Sequence, residues 1–213
     1  MNAPAQSKFS GSLSSLHEVE LIPAYRKILE STGCGGPEPY RKRKLQAGHQ
    51  LLALAQISER LWIQFLDLSG VFRAVFVMKV PVPCRRGGTG PLLIAPAAQL
   101  ALSYRPEAMV TAQNGSSFFE ILEPRDVFHA NVAPSYRPPG AQVLCLGPQL
   151  FAGIQLVDLV LMAYGAISLQ TTQFSLTDPA GLFNAEAAQW FQANPSSIPL
   201  TREPFRFHKE ARV

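Results

Sequence analysis

Apolar residues recur along this chain at two periods, and the change from one to the other divides it into elements. Leu16, Val19 and Ile22, then Tyr25, Ile28 and Leu29, fall at helical spacing. Pro23 either kinks one helix or opens the first turn of a new one. Gly33-Cys34-Gly35-Gly36-Pro37 ends this region. From Leu51 the apolar runs have strand length, covering 51–57, 61–68 and 71–82, with Ser58-Glu59-Arg60 and Ser69-Gly70 between them. Phe72, Ala74, Phe76 and Met78 alternate with Arg73, Val75, Val77 and Lys79, as in a strand with one face on a core. Connections this short predict antiparallel neighbours, because a parallel pair needs a crossover. Residues 92–102, 108–112 and 118–122 supply further strand-length stretches. They are broken by Tyr104-Arg105-Pro106 and by Asn114-Gly115, a hairpin signal. Beyond Cys145 the helical period returns: Ile154, Val157, Leu161, Tyr164 and Ile167 share a face, predicting a helix over 154–169 that covers the sheet. A last helix is predicted from Asn184, a capping residue, with Glu186 in its first turn and Ala187, Trp190 and Phe191 packing it.

The pattern predicts an α+β fold: an antiparallel meander sheet of about four or more strands, with an N-terminal helix and C-terminal helices packed on it. At 213 residues, with 47% hydrophobic and 16% charged, the chain suits one core rather than two. Residues 1–15, rich in Ser, Ala and Gly, read as a flexible leader, 16–194 as a single domain, and 195–213 as a basic, proline-broken tail. A net charge of +4 without an aromatic-interleaved basic stripe gives no reason to expect nucleic acid. The most apolar stretch, 143–169, contains Pro148, Gln149, Gln155 and Asp158, which favour a buried helix over a membrane span. Cys34, Cys84 and Cys145 have no paired spacing, and the start lacks a secretory apolar core, so a reducing, cytoplasmic setting is expected. The glycine-rich 85–91 lacks the Lys and Ser/Thr of a phosphate loop and reads as an ordinary loop.

Cys145, in Val143-Leu144-Cys145-Leu146-Gly147, carries the chemistry of interest. A cysteine between leucines is commonly a small core residue. As a thiolate it can also accept an acyl group and hand it to an amine, with a nearby amide such as Asn131 stabilising the oxyanion. The order of the surrounding motifs bears on this choice. Strand-like Phe118-Phe119-Glu120-Ile121-Leu122 leads into Val127-Phe128-His129-Ala130-Asn131-Val132, then come the cysteine segment, the helix over 154–169, and Leu182-Phe183-Asn184-Ala185-Glu186. In this order the chain resembles the ubiquitin-conjugating, or E2, family over 61–194. His129-Ala130-Asn131 looks like the family's His-Pro-Asn turn, with alanine in the proline position. Two other departures are a long connection, 133–142, and Leu150-Phe151 where a tryptophan is common.

The resemblance implies a UBC-like fold and an E2-like conjugating enzyme. Cys145 would accept a ubiquitin-like protein as a thioester from an E1-like activating enzyme and transfer it to an amine of a target protein. Asn131 would donate to the oxyanion or hold the turn, and His129 would brace that turn. Asp178 would orient or deprotonate the incoming lysine, although an Asp followed by Pro179 is also an ordinary helix cap with proline at the first helical position. Arg26, Lys27 and the run Arg41, Lys42, Arg43 and Lys44 would dock the activating enzyme; as a plain charge run they read as solvated surface. No cofactor or metal is implied, since the activating partner consumes ATP. Bacterial relatives occur in small operons, some serving antiphage defence, and the resemblance implies that setting. Two alternatives stand beside it: an E2-like interaction module with a core cysteine, and a hydrolase in which His129 serves Cys145 as base.

Overall fold

The computed structural model describes residues 16–172, 174 and 182–205. The leader 1–15, Asp178 and the tail beyond 205 lie outside them. The N-terminal helical pattern resolves at Pro23, which sits in the first turn of α1 (Pro23–Ser31), where its missing N–H costs nothing. α2 (Glu38–Ile57) follows, entered through Pro37 and Pro39. The strand expected over 51–57 is therefore the end of a 20-residue helix. Leu51, Leu52, Ala53 and Leu54 are all fully buried, because this end of the helix is enclosed on every side. A continuous apolar run has no period with which to distinguish helix from strand.

Five antiparallel strands form the main sheet in the order β1 (Leu61–Asp67), β2 (Phe72–Met78), β5 (Ala98–Tyr104), β6 (Phe119–Glu123) and β7 (Val143–Leu144). β3 (Val82–Cys84) and β4 (Leu93–Ala95) pair separately, in the chain between β2 and β5. The alternation in β2 holds: Phe72, Ala74, Phe76 and Met78 are buried while Arg73 is exposed. α2 and α3 (Leu156–Ile167) pack together to form the core with the sheet, and α4 (Ala185–Ala193) builds a second apolar cluster with Phe128. The architecture is α+β, as the pattern predicted. No helix among the described residues is long and apolar enough to cross a membrane.

Two strand expectations are corrected. Residues 108–112 do not form a strand: Pro106–Met109 is a short 3-10 turn, consistent with proline fixing φ at its start. Asn114-Gly115 does not make a hairpin. Asn114 caps a second 3-10 turn, accepting from the Ser116 N–H at 2.9 Å. The basic run also divides. Arg26, Lys27, Arg41 and Lys42 point largely to solvent, with Arg26 paired to Glu20 at 2.8 Å and Lys42 to Glu38 at 2.7 Å. Lys44 is 1% exposed and donates to the carbonyls of Leu68 and Gly70, while Arg43 donates to those of Gly153 and Ile154. These two cations tie α2 to neighbouring turns, so they are withdrawn from the docking face expected of the run.

Candidate functional site

The segment carrying Cys145 is held by backbone geometry before any side chain contributes. Asn131, Val132 and Ala133 run beside Val143, Leu144 and Cys145: the Cys145 N–H donates to the Asn131 carbonyl at 2.8 Å, Val132 bridges Leu144, and the Ala133 N–H donates to Val143 at 2.9 Å. This places Asn131 directly across from Cys145 and closes 133–142 as a loop between them. The loop is anchored at its tip, where the Tyr136 hydroxyl donates to Glu186 Oε2 at 2.7 Å and Arg137 pairs with the same carboxylate. The bond from Tyr136 holds the Glu186 carboxyl below the usual carboxylate range. Glu186 thus fastens the 133–142 loop to α4, in addition to the favourable place at the helix start that the sequence predicts.

His129 is fully buried, and both its nitrogens are engaged. Nε2 donates to the Ala166 carbonyl of α3 at 3.0 Å, and Nδ1 accepts from the Asn131 N–H at 3.1 Å. The ring is therefore the neutral Nε2–H tautomer, and neither nitrogen is left to activate Cys145, which removes the histidine-based hydrolase reading. Burial lowers its pKa to about 4. Between the ordinary value and this one, the unfolded chain binds a proton that the folded chain refuses, so stability falls as pH falls from about 6.5 towards 4. Lowering the pH from about 7 to about 5 is expected to cost about 2 kcal/mol through His129 alone. Urea unfolding at the two pH values checks this. His129→Gln should lose most of the slope, and a smaller slope should remain from His49, whose pKa burial and His17 also lower.

Ala130, in the proline position of the resemblance, is fully buried, and its carbonyl accepts from both the Phe183 and Asn184 N–H groups, at 2.8 and 2.9 Å. The turn is thus fixed to the start of α4 without a proline ring. Gln142 closes it from the other side: Oε1 accepts from the Val127 N–H at 2.8 Å, and Nε2 donates to Ile121 and Pro124 at 3.2 and 2.8 Å. With this residue 1% exposed, Gln142→Ala should lower stability by about 3 kcal/mol, because backbone groups would be left buried without partners. A chemical-denaturation midpoint measures it.

Cys145 itself is 2% exposed, and its thiol donates to the Gly147 carbonyl at 3.5 Å. Burial pushes the thiol above its ordinary value. The same Gly147 carbonyl accepts from the Gly115 N–H at 3.1 Å. A Cβ on Gly115 would lie 2.4 Å from the Gly147 oxygen, so only glycine allows this approach. Gly115, which the sequence suggested for a hairpin, thus positions the chain after Cys145. Its close contact across the fold left no local signal beyond the Asn-Gly pair.

Cys145 and Asn131 line one cavity of about 580 Å³ together with Leu146, Gly147, Pro148 and the α3 residues Leu161, Met162, Gly165 and Ala166. Leu161, assigned by spacing to the core face, is half-buried on this wall. Neither Cys34 nor Cys84 lines it, and burial pushes the Cys84 thiol up to about 11. Among the described residues, no group of three or more His, Cys, Asp or Glu side chains is placed to hold a metal ion. Comparison with known proteins finds no matching family model, no matching curated protein and no matching solved structure.

Proposed function

We propose that this chain is an E2-like conjugating enzyme in which Cys145 carries a ubiquitin-like protein as a thioester. The observation that carries the reading is the pairing of Cys145 with Asn131 across one backbone hydrogen bond, on the wall of one cavity. The Cys145 thiolate would attack the thioester carbonyl presented by an E1-like activating enzyme and expel the partner's thiolate, an exchange between similar bonds. An amine of the target protein would then attack, with the Asn131 amide supporting the oxyanion. His129, committed to α3 and to the Asn131 backbone, acts as a positioning residue.

The order of N-terminal helices, antiparallel strands, a short strand ending at Leu144 just before the cysteine, and a following helix supports a UBC-like assignment within the α+β class. Arg26, Lys27, Arg41 and Lys42 provide the basic face for the activating enzyme, without Arg43 and Lys44. Charge reversal at these four positions should weaken loading and its dependence on salt while leaving the melting temperature unchanged. Asp178 keeps its proposed role towards the acceptor lysine. The genomic setting proposed is a bacterial conjugation operon serving antiphage defence, and the neighbouring genes test it.

A second reading, a non-catalytic interaction module, is favoured by one observation: the near-complete burial of Cys145. Reconstitution separates the two. The chain mixed with its activating enzyme, ubiquitin-like protein and ATP should form an adduct that a reducing agent cleaves. Absence of that adduct, with the activating enzyme itself loaded, assigns the module.

A further inference from the structure

The cavity beside Cys145 is larger and more apolar than a thioester alone requires. Its volume of about 580 Å³ lies within the range of pockets that enclose whole small ligands, about 300–1,000 Å³. Leu146, Pro148, Leu161 and Met162 form apolar walls, and Gly165 and Ala166 add little bulk to the helix side. Asn131, Thr171 and the thiol are the polar side chains, and among the described residues no charged side chain lines it. α3 is otherwise largely buried, and the half-buried Leu161 and Met162, packed against the core, both line the cavity. A charged side chain entering this space would lose its water without gaining a counter-charge from any described lining residue, whereas an apolar one would be favoured.

We propose that this cavity seats a bulky apolar side chain of the incoming modifier, at the residue preceding its terminal glycine. Cys145 thereby selects tails ending in an apolar residue and glycine over tails ending in two glycines. This rests on the thioester reading above. In the step concerned, Cys145 Sγ bonds to the glycine carbonyl carbon and the bond from that carbon to the leaving sulfur breaks. The leaving thiolate takes up a proton equivalent to the one lost by Cys145, and no oxidant or reductant is needed.

The test uses the full chain and synthetic peptide thioesters of mercaptoethanesulfonate ending in Leu-Gly, Phe-Gly, Gly-Gly, Lys-Gly or Glu-Gly, with acylation of Cys145 followed by mass spectrometry. Leu-Gly and Phe-Gly peptides should load about tenfold or more faster than Gly-Gly, in line with the discrimination an apolar pocket provides, and the charged pair should load more slowly still. Met162→Gln and Leu161→Gln, each at a half-buried position, should bring the Leu-Gly to Gly-Gly ratio close to one while the protein still melts cooperatively. Equal rates for Leu-Gly and Gly-Gly in the unmodified chain overturn the apolar seat and leave the thioester reading standing. Failure of every peptide to acylate Cys145 overturns both.

Discussion

Reconstituted conjugation reactions containing Cys145→Ala are expected to form no reducible adduct on this chain, while Cys34→Ala and Cys84→Ala form it at the original rate. The three thiols differ in what surrounds them. Cys84 ends β3, where its thiol donates to Val82 at 3.5 Å and burial pushes it up to about 11. Cys34 donates to the Arg41 carbonyl at 3.6 Å. Cys145 shares its cavity with Asn131. Cys145→Ser should retain a bond to the modifier as an oxyester that reducing agents leave intact, because the oxygen occupies the position of the sulfur. Since burial raises the Cys145 thiol, its thiolate fraction and the loading rate should keep rising with pH beyond about 8.5, where an exposed thiol is half ionised. Loss of the adduct in Cys34→Ala or Cys84→Ala, with retention in Cys145→Ala, would reverse the assignment.

Asn131→Ala is expected to slow discharge of the loaded protein to an amine by about 10²- to 10³-fold, the usual consequence of removing one oxyanion donor, and to slow loading less. The backbone interactions of residue 131 with Cys145 and His129 survive this substitution, since they use its carbonyl and N–H. What is lost is the side-chain amide of a cavity-lining residue. Single-turnover discharge of preloaded protein measures the effect without the activating enzyme. If loading and discharge slow equally and the melting temperature falls, Asn131 serves the turn and not the transition state.

How much of this was legible beforehand differed by element. β2 was readable because one face meets the core and the other is more open, which writes a period of two into the sequence. α3 was readable in extent and in its core face: Ile154, Val157, Tyr164 and Ile167 are buried, and Leu161 packs against the core, yet nothing in the sequence signalled that Leu161 also lines the cavity. The end of α2 was misread because full enclosure erased its period. Within the basic run, four adjacent cations look alike in sequence. Yet Lys44 is buried against the carbonyls of Leu68 and Gly70, whereas Lys42 faces solvent and pairs with Glu38.

Local preferences by themselves determined the α+β class, the β2 alternation and the Asn184 cap, whose side chain accepts from the Ala187 N–H at 3.0 Å. Each follows from neighbouring residues acting on one another, so it is written within a few positions of the chain. The candidate site is different. Asn131 meets Cys145 across the 133–142 loop, His129 reaches Ala166 on α3, Ala130 receives the start of α4, and Gly115 approaches Gly147. Motif order could name Cys145 and Asn131. Only packing decided that His129 is locked as a neutral brace, that the thiol is buried, and that a cavity with no charged side chain among the described residues opens beside it, because contacts between distant segments leave no periodic trace in sequence.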